Sequence, residues 1–177
     1  MYPYKFRRQH GLTEKQKLGR RQKCKLLLTR DASGDYLTTL FTDEKIFTIE
    51  RYFNIQNDCV LAPRLQAADL GGRSKSCIAH PQSVMVFVGI TADGRTDLFF
   101  VPLKAKVNTA LYAEEILESS VKPWAESFFG NKKWTFQQNG APAHTSKKSQ
   151  EWCRANFPDF IPKDEWPANS PDLNPMD

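Results

Sequence analysis

SVMVFVGITADGRTDLFFVPL, residues 83–103, carries the clearest sign of this chain's architecture. Two apolar runs, 83–90 and 97–103, flank TADGRT, and an Asp-Gly pair between such runs is a strong signal for a β-hairpin. Working upstream, YLTTLFTDEKIFTIERYF (36–53) mixes β-branched and aromatic residues with partial alternation, which predicts a strand that ends or bends near Asp43 and resumes to Ile49. Residues 40–103 therefore hold three consecutive antiparallel strands. Working downstream, strands and helices alternate. Asn108 caps a helix through Leu111, Tyr112, Ile116 and Leu117, which Pro123 breaks or kinks before the stop at Gly130. KKWTFQQN (132–139) is a further strand, a helix starts near Thr145 and runs through Trp152 and Cys153 to Phe157, and FPDFIP (157–162) is a short last strand. The order βββαβαβ describes an α/β protein with a mixed sheet and helices on its faces.

Between the first two strands, residues 51–82 carry Pro63, Gly71, Gly72 and Pro81 with weak periodicity, a long loop of the kind that is usually functional in a compact domain. Ahead of the sheet, LTEKQKLGRRQKCKLLLTR (12–30) reads as a helix. Thr13 caps it, Gln16 completes a capping box, and Leu18, Leu26 and Leu27 give a thin apolar stripe. The turn cluster DASGD (31–35) sets a boundary between a basic arm, residues 1–34, and a core domain, residues 35–177.

At 177 residues and 40% hydrophobic content the chain can bury one core, so one domain with an appendage is expected. Its net charge of +5 is uneven: residues 1–30 hold ten Lys or Arg against Glu14, while the remainder hold fifteen against nineteen acids. A short cationic segment on a mildly acidic body suggests contact with a polyanion, and Lys5, Arg7, Arg8, Arg20, Arg21 and Lys23 are the candidate phosphate contacts. No window is apolar enough for a membrane span, and MYPYKFRRQHG lacks the apolar core of a signal peptide, so a soluble protein is expected. Cys24, Cys59, Cys77 and Cys153 are scattered and form no CxxC pair, which specifies neither a zinc ribbon nor a disulfide framework. The Cys77–His80 spacing has no further ligands nearby.

Two carboxylates at the ends of neighbouring strands, with a third on a following helix, can hold two Mg²⁺ or Mn²⁺ ions about 3.5–4 Å apart for in-line attack on a phosphodiester. Hard oxygen ligands suit those cations. Here FTDEK (41–45) holds Asp43, SPDLNPMD (170–177) holds Asp172 and Asp177, and FQQNGAPAHTS (136–146) holds Asn139. Asn174 is a plausible helix cap and Pro175 suits the first helical position. The helix it opens stops after three residues, so the domain is expected to be cut short after Asp177.

In FTDEKIFTI, QNDCVLAP, FQQNGAPAHTS and WPANSPDLNPMD, taken in order, the chain resembles the mariner-like superfamily of DNA transposases, and YPYKFRRQHGLTEKQK (2–17) looks like that family's connection between DNA-binding and catalytic domains. The resemblance runs from about Tyr2 to Asp177. It implies a ribonuclease-H-like catalytic domain, a cut-and-paste transposase chemistry of metal-dependent strand cleavage and strand transfer, DNA partners (transposon ends and target DNA), a nuclear location, and no small-molecule substrate. It also implies paired helix-turn-helix units upstream and homodimer contacts through the 51–82 loop. Residue by residue, Asp43 takes the first triad position, Asn139 the second and Asp177 the third. Asparagine lacks the charge the two cations need, and its amide nitrogen repels a metal if it faces inward, so a weakened two-metal site and a weak or inactive enzyme are expected. Asn139-Gly140 is also a dipeptide prone to deamidate to aspartate or isoaspartate. His144 is a candidate DNA contact or a supporting group behind the ligands, set against a buried histidine at a helix start. Trp124, Trp134, Trp152 and Trp166 read as packing residues rather than base-stacking platforms. The other readings are a noncatalytic DNA-binding or oligomerisation relic and an unrelated nuclease acting on RNA hybrids, the latter disfavoured by the QNDCVLAP and SPDLNP blocks.

Overall fold

The computed structural model describes residues 11–49, 59–71, 82–103, 105–168 and 170–176. Helix α1 (Glu14–Arg30) leads into two short 3-10 turns and then strand β1 (Thr39–Thr48). After the short helix α2 (Leu65–Leu70) come β2 (Ser83–Thr91), β3 (Gly94–Arg95) and β4 (Phe99–Phe100). A long helical segment follows: α3 (Thr109–Leu111), a π-helical stretch Tyr112–Val121, and α4 (Lys122–Phe129). The order ends with β5 (Thr135–Gln137), α5 (Pro142–Thr145), α6 (Lys147–Asn156) and a 3-10 turn at Pro171–Leu173.

The sheet has the order β3-β2-β1-β5, with β4 also on β2. β1 and β2 run antiparallel with Asp43 opposite Val88, and β5 joins the other edge of β1 in parallel with Leu40 opposite Phe136. This is the mixed sheet expected from the sequence, with two refinements. The third strand is split, because Thr96 turns inward between β3 and β4 and its hydroxyl accepts the Gly89 N–H at 2.9 Å. The expected last strand shrinks to one parallel bridge, Phe136 to Phe160, in a segment hemmed by Pro158 and Pro162, neither of which can donate to a ladder.

Side chains alternate across β1, so Leu40, Thr42 and Glu44 face the helices while Asp43, Lys45 and Phe47 face the other way. On the helix side Leu40, Phe87 and Phe136 join Tyr112, Ile116, Leu117, Val121, Phe129, Trp134, Cys153 and Phe157 in one core. The tryptophans belong to this packing: Trp134 stacks on Phe129 with centroids 5.0 Å apart, and Trp124 and Trp152 pack against the cluster. The opposite face is an open groove of about 610 Å³ lined by Asp43, Lys45, Phe47, Val86 and Val88.

Pro123 does not break its helix. Lys122 keeps right-handed helical dihedrals, and the hydrogen-bond pattern changes from π to α at the proline instead. A proline cannot donate to the preceding turn and its ring crowds the carbonyl behind it; wider π turns accommodate both. Gly94 has no positive φ, so its smallness is needed for another reason: a β-carbon there would lie 2.6 Å from the Phe128 ring.

The capping box of α1 is present, with Gln16 N–H donating to Thr13 Oγ1 and Thr13 N–H to Gln16 Oε1. Its leucine stripe does not pack: none of its residues is buried, and Leu18 and Leu26 are more than half exposed. The helix is held by its cations. Arg20 pairs with Asp172, Lys23 Nζ donates to the carbonyls of Lys163 and Trp166 at 3.0 Å, and Arg30 pairs with Asp159 and with Glu165 at 2.6 Å. Although burial works against its charge, hydrogen bonds and attraction to Asp159 and Glu165 raise the Arg30 pKa. A short helix, α2, occupies part of the expected 51–82 loop; residues 50–58 and 72–81, including Cys77 and His80, lie outside the described residues.

Candidate active site

β1 and β5 are neighbours and parallel, so the chain leaving β5 turns over the middle of β1. That turn carries Asn139 to Asp43: its Nδ2 donates to Asp43 Oδ1 at 3.3 Å. The other end of the amide accepts the Ala141 N–H at 3.0 Å. A backbone N–H can only face an acceptor, so the Ala141 bond fixes the amide with oxygen in the turn and nitrogen toward the carboxylate. The first two positions of the expected triad are therefore together, joined by a hydrogen bond.

The strand beneath Asp43 is held at its neighbour Thr42. Thr42 Oγ1 donates to the Gln137 carbonyl at 2.8 Å, and Thr42 N–H to Gln137 Oε1 at 3.2 Å. Asn174 Nδ2 donates to the Thr42 carbonyl at 3.2 Å. Asn174 also accepts the Met176 N–H at 3.1 Å, an Asx-type turn contact; among the described residues it caps the start of no helix. The SPDLNP segment is thus fastened beside Asp43. Asp177, the expected third position, lies outside the described residues, as do Lys5, Arg7 and Arg8. Asp172 does not face the site, because it pairs with Arg20 on α1.

Two other expectations change. Arg20 and Lys23, read as phosphate contacts, are committed to the protein, which leaves Arg21 exposed on α1 for such a role. His144 is 2% exposed, out of reach of DNA. Its Nε2 lies 2.9 Å from Glu44 Oε1, a close contact rather than an aligned hydrogen bond, and its ring stacks on Tyr112 at 4.0 Å. Tyr112 O–H donates to Gln138 Oε1 at 2.7 Å. Burial in the first place, then the proximity of Cys153 and Glu44, pushes the Tyr112 hydroxyl well above its usual pKa, so it stays a donor. Glu44, Tyr112, Gln137, Gln138 and Asn174 were missed in the sequence. The available signal was polarity out of place: FQQN continues a buried strand with three polar residues, and Glu44 alternates onto the apolar face of β1.

As they stand, Asp43 and Asn139 do not suit a pair of divalent cations. The second position presents N–H donors where a cation needs an oxygen, and among the described residues no three His, Cys, Asp or Glu side chains converge. What the arrangement does is satisfy the carboxylate with an amide.

No family model matches the chain. In sequence it is similar to the transposases of Caenorhabditis briggsae elements Tcb2 (45% identical over 64 residues, 36% of this chain and 22% of the relative) and Tcb1 (39% over 84 residues, 46% and 29%). The Tc3 transposase of Caenorhabditis elegans is 26% identical over 145 residues, 78% of this chain and 38% of the relative. The match thus spans well under half of each curated relative. In fold the chain matches a Mos1 transposase paired-end complex with left transposon end (TM-score 0.74, 19% identity, 100% of this chain and 50% of that one). It also matches the catalytic domain of Mos1 mariner transposase (TM-score 0.64, 21% identity, 96% and 69%). The mixed sheet with flanking helices is the ribonuclease-H-like fold of that domain.

Proposed function

We infer, from a chain that is a relative of the Tc1/mariner-like transposases in sequence and has their catalytic-domain fold, that it is built for metal-dependent cleavage and transfer of DNA strands and is impaired for it by Asn139. One observation carries this reading: Asp43 on β1 and Asn139, two residues beyond the parallel neighbour β5, stand within hydrogen-bond distance of each other. Solved Mos1 structures include a paired end complex with Mn and one with Mg, which supports divalent-metal chemistry for the ancestral site. When bound, such ions would activate an attacking water or 3′-hydroxyl and stabilise the leaving oxygen. Asp43 is the residue here able to hold one, with Asp177 proposed as its partner; Asn139 would contribute no charge.

The protein's own residues do the rest. Gln137 and Asn174 fix Thr42 and so the strand carrying Asp43, and the Ala141 N–H holds the side chain of residue 139 in the turn. We propose that residues 1–34 form a basic arm on a core domain of residues 35–177, and that Arg21, with Lys5, Arg7 and Arg8, contacts phosphates. The 51–82 loop is proposed to reach a second copy, and the working location is the nucleus. No described helix is long and apolar enough to cross a membrane.

The Asn139–Asp43 hydrogen bond also favours a second reading, a noncatalytic DNA-binding or oligomerisation relic of a transposase. Incubation of the chain and of Asp43→Ala with duplex DNA and Mn²⁺ tests the first reading. Residual nicking lost on Asp43→Ala supports it. Salt-sensitive DNA binding unchanged by Asp43→Ala, with no nicking even after Asn139→Asp, overturns it in favour of the relic.

A further inference from the structure

We propose that Glu44 and Tyr112 are positioning residues, two supports that bracket residue 139 and set where it stands against Asp43; the inference rests on the catalytic reading above. β5 pairs with β1 only over Thr135–Gln137, so no ladder bond fixes the chain beyond Gln137. Beyond its own bonds to Asp43 and from the Ala141 N–H, the location of Asn139 depends on what holds the chain on either side of it. On its amino side, Gln138 Oε1 accepts the hydroxyl of Tyr112, which is 0% exposed. On its carboxyl side, His144 meets Glu44 at 2.9 Å.

Glu44 is next to Asp43 on β1 and on the opposite face. One strand thus presents a carboxylate to the turn on each side, Asp43 to Asn139 and Glu44 to His144. A carboxylate side chain only 12% exposed on the core face is costly unless partnered, and a hydrophobic residue in register with Leu40 and Thr42 would pack there without that cost. Its contact with His144 is the reason proposed for its presence, and its Oε1 has no hydrogen-bond partner there.

The two supports are also joined to each other. The His144 ring stacks on Tyr112, and the stretch after the turn is clamped to α6, where Gln150 Nε2 donates to the His144 carbonyl at 3.0 Å and Ser149 Oγ to the Ala143 carbonyl at 2.7 Å. Tyr112 itself opens the π-helical stretch, a departure from α geometry of the kind often found beside functional sites. Groups of this sort, which touch no reacting atom but orient those that do, commonly change affinity or activity at a site 10–100-fold.

Amide hydrogen exchange on the intact 177-residue chain reads the positions directly and needs neither DNA nor metal. In Tyr112→Phe, which keeps the ring stack and nearly all the volume, and in Glu44→Gln, the Ala141 and Thr145 amides are expected to exchange about tenfold faster while those of the β1–β2 ladder keep their rates. Unchanged rates at Ala141, or equal acceleration everywhere, would overturn the inference in favour of a purely structural role. Should Glu44→Gln fail to fold, Tyr112→Phe decides alone. In the Asn139→Asp background the same Tyr112→Phe change is expected to lower kcat for nicking about tenfold with KM for DNA unchanged. If Asn139→Asp does not nick at all, the catalytic reading fails, whereas local exchange that does not respond defeats only the positioning inference.

Discussion

Replacing Asn139 by aspartate reverses the relation between residues 43 and 139, and the size of the effect follows from the distance between them. The Asn139 amide now donates to Asp43 at 3.3 Å. A carboxylate in its place puts two negative charges at that separation, a repulsion of about 5 kcal/mol at an effective dielectric near 20 and about 1 kcal/mol in bulk water. Both residues are half-buried, so a loss of about 2–3 kcal/mol is expected after relaxation, including about 1 kcal/mol for the lost hydrogen bond. At roughly 2–4 °C per kcal/mol for a domain of this size, Asn139→Asp should melt about 5–10 °C lower than the parent in EDTA at pH 7. The repulsion raises the folded-state pKa of one carboxyl above its unfolded value, so the deficit should shrink as pH falls toward 4. A divalent cation between the two carboxylates removes the repulsion and adds its own linkage, about 2.7 kcal/mol at a hundred times its Kd. Differential scanning fluorimetry of both proteins in EDTA and across an Mn²⁺ titration measures all of this. A variant as stable as the parent in EDTA, or one that Mn²⁺ does not stabilise beyond the parent, would mean that residues 43 and 139 do not interact in this way.

Other consequences are simpler to read. Burial pushes the Cys153 thiol up to about 12, so its neutral form is stabilised by the fold; that contribution is intact below pH 9 and is lost by about 1.4 kcal/mol per unit above it, visible as a falling urea midpoint that flattens in Cys153→Ala. Gly94→Ala forces a methyl to within 2.6 Å of the Phe128 ring and should cost about 1–3 kcal/mol in chemical denaturation, with little loss if Phe128 is first changed to Leu. Arg21→Ala should reduce the slope of log affinity for duplex DNA against log salt by about one, while Arg30→Ala, whose guanidinium is spent on Asp159 and Glu165, should instead loosen α1 and raise its proteolytic nicking.

Much of the fold was legible because it is written in local patterns. The β2–β3 hairpin, the Asn108 cap and the Thr13–Gln16 capping box each depend on neighbours within a few residues, and each is present, although the hairpin turns at Ala92-Asp93 and Gly94 opens β3. What sequence patterns missed depends on distant partners. The leucines of α1 look like a packing stripe, but none is buried, and the docking is made by Arg20, Lys23 and Arg30. Pro123 looks like a helix breaker, and only the π-helical widening before it shows why it is not. In the site, Asp43 and Asn139, singled out from their motifs, lie together. Glu44, Tyr112 and Gln138 were not singled out, because polarity out of place shows that a residue needs a partner but not which one, and for Tyr112 and Gln138 the partner is 26 residues away.

We propose that Asn139 closes the centre that Asp43 begins, and supercoiled plasmid nicking by the purified chain and its Asn139→Asp variant, measured side by side in Mg²⁺ and in Mn²⁺, shows whether it does. The variant is expected to nick faster by orders of magnitude, and Asp43→Ala in that background to abolish the gain. Equal rates for the chain and the variant, with intact mass confirming unmodified Asn139 in the parent, would contradict the account.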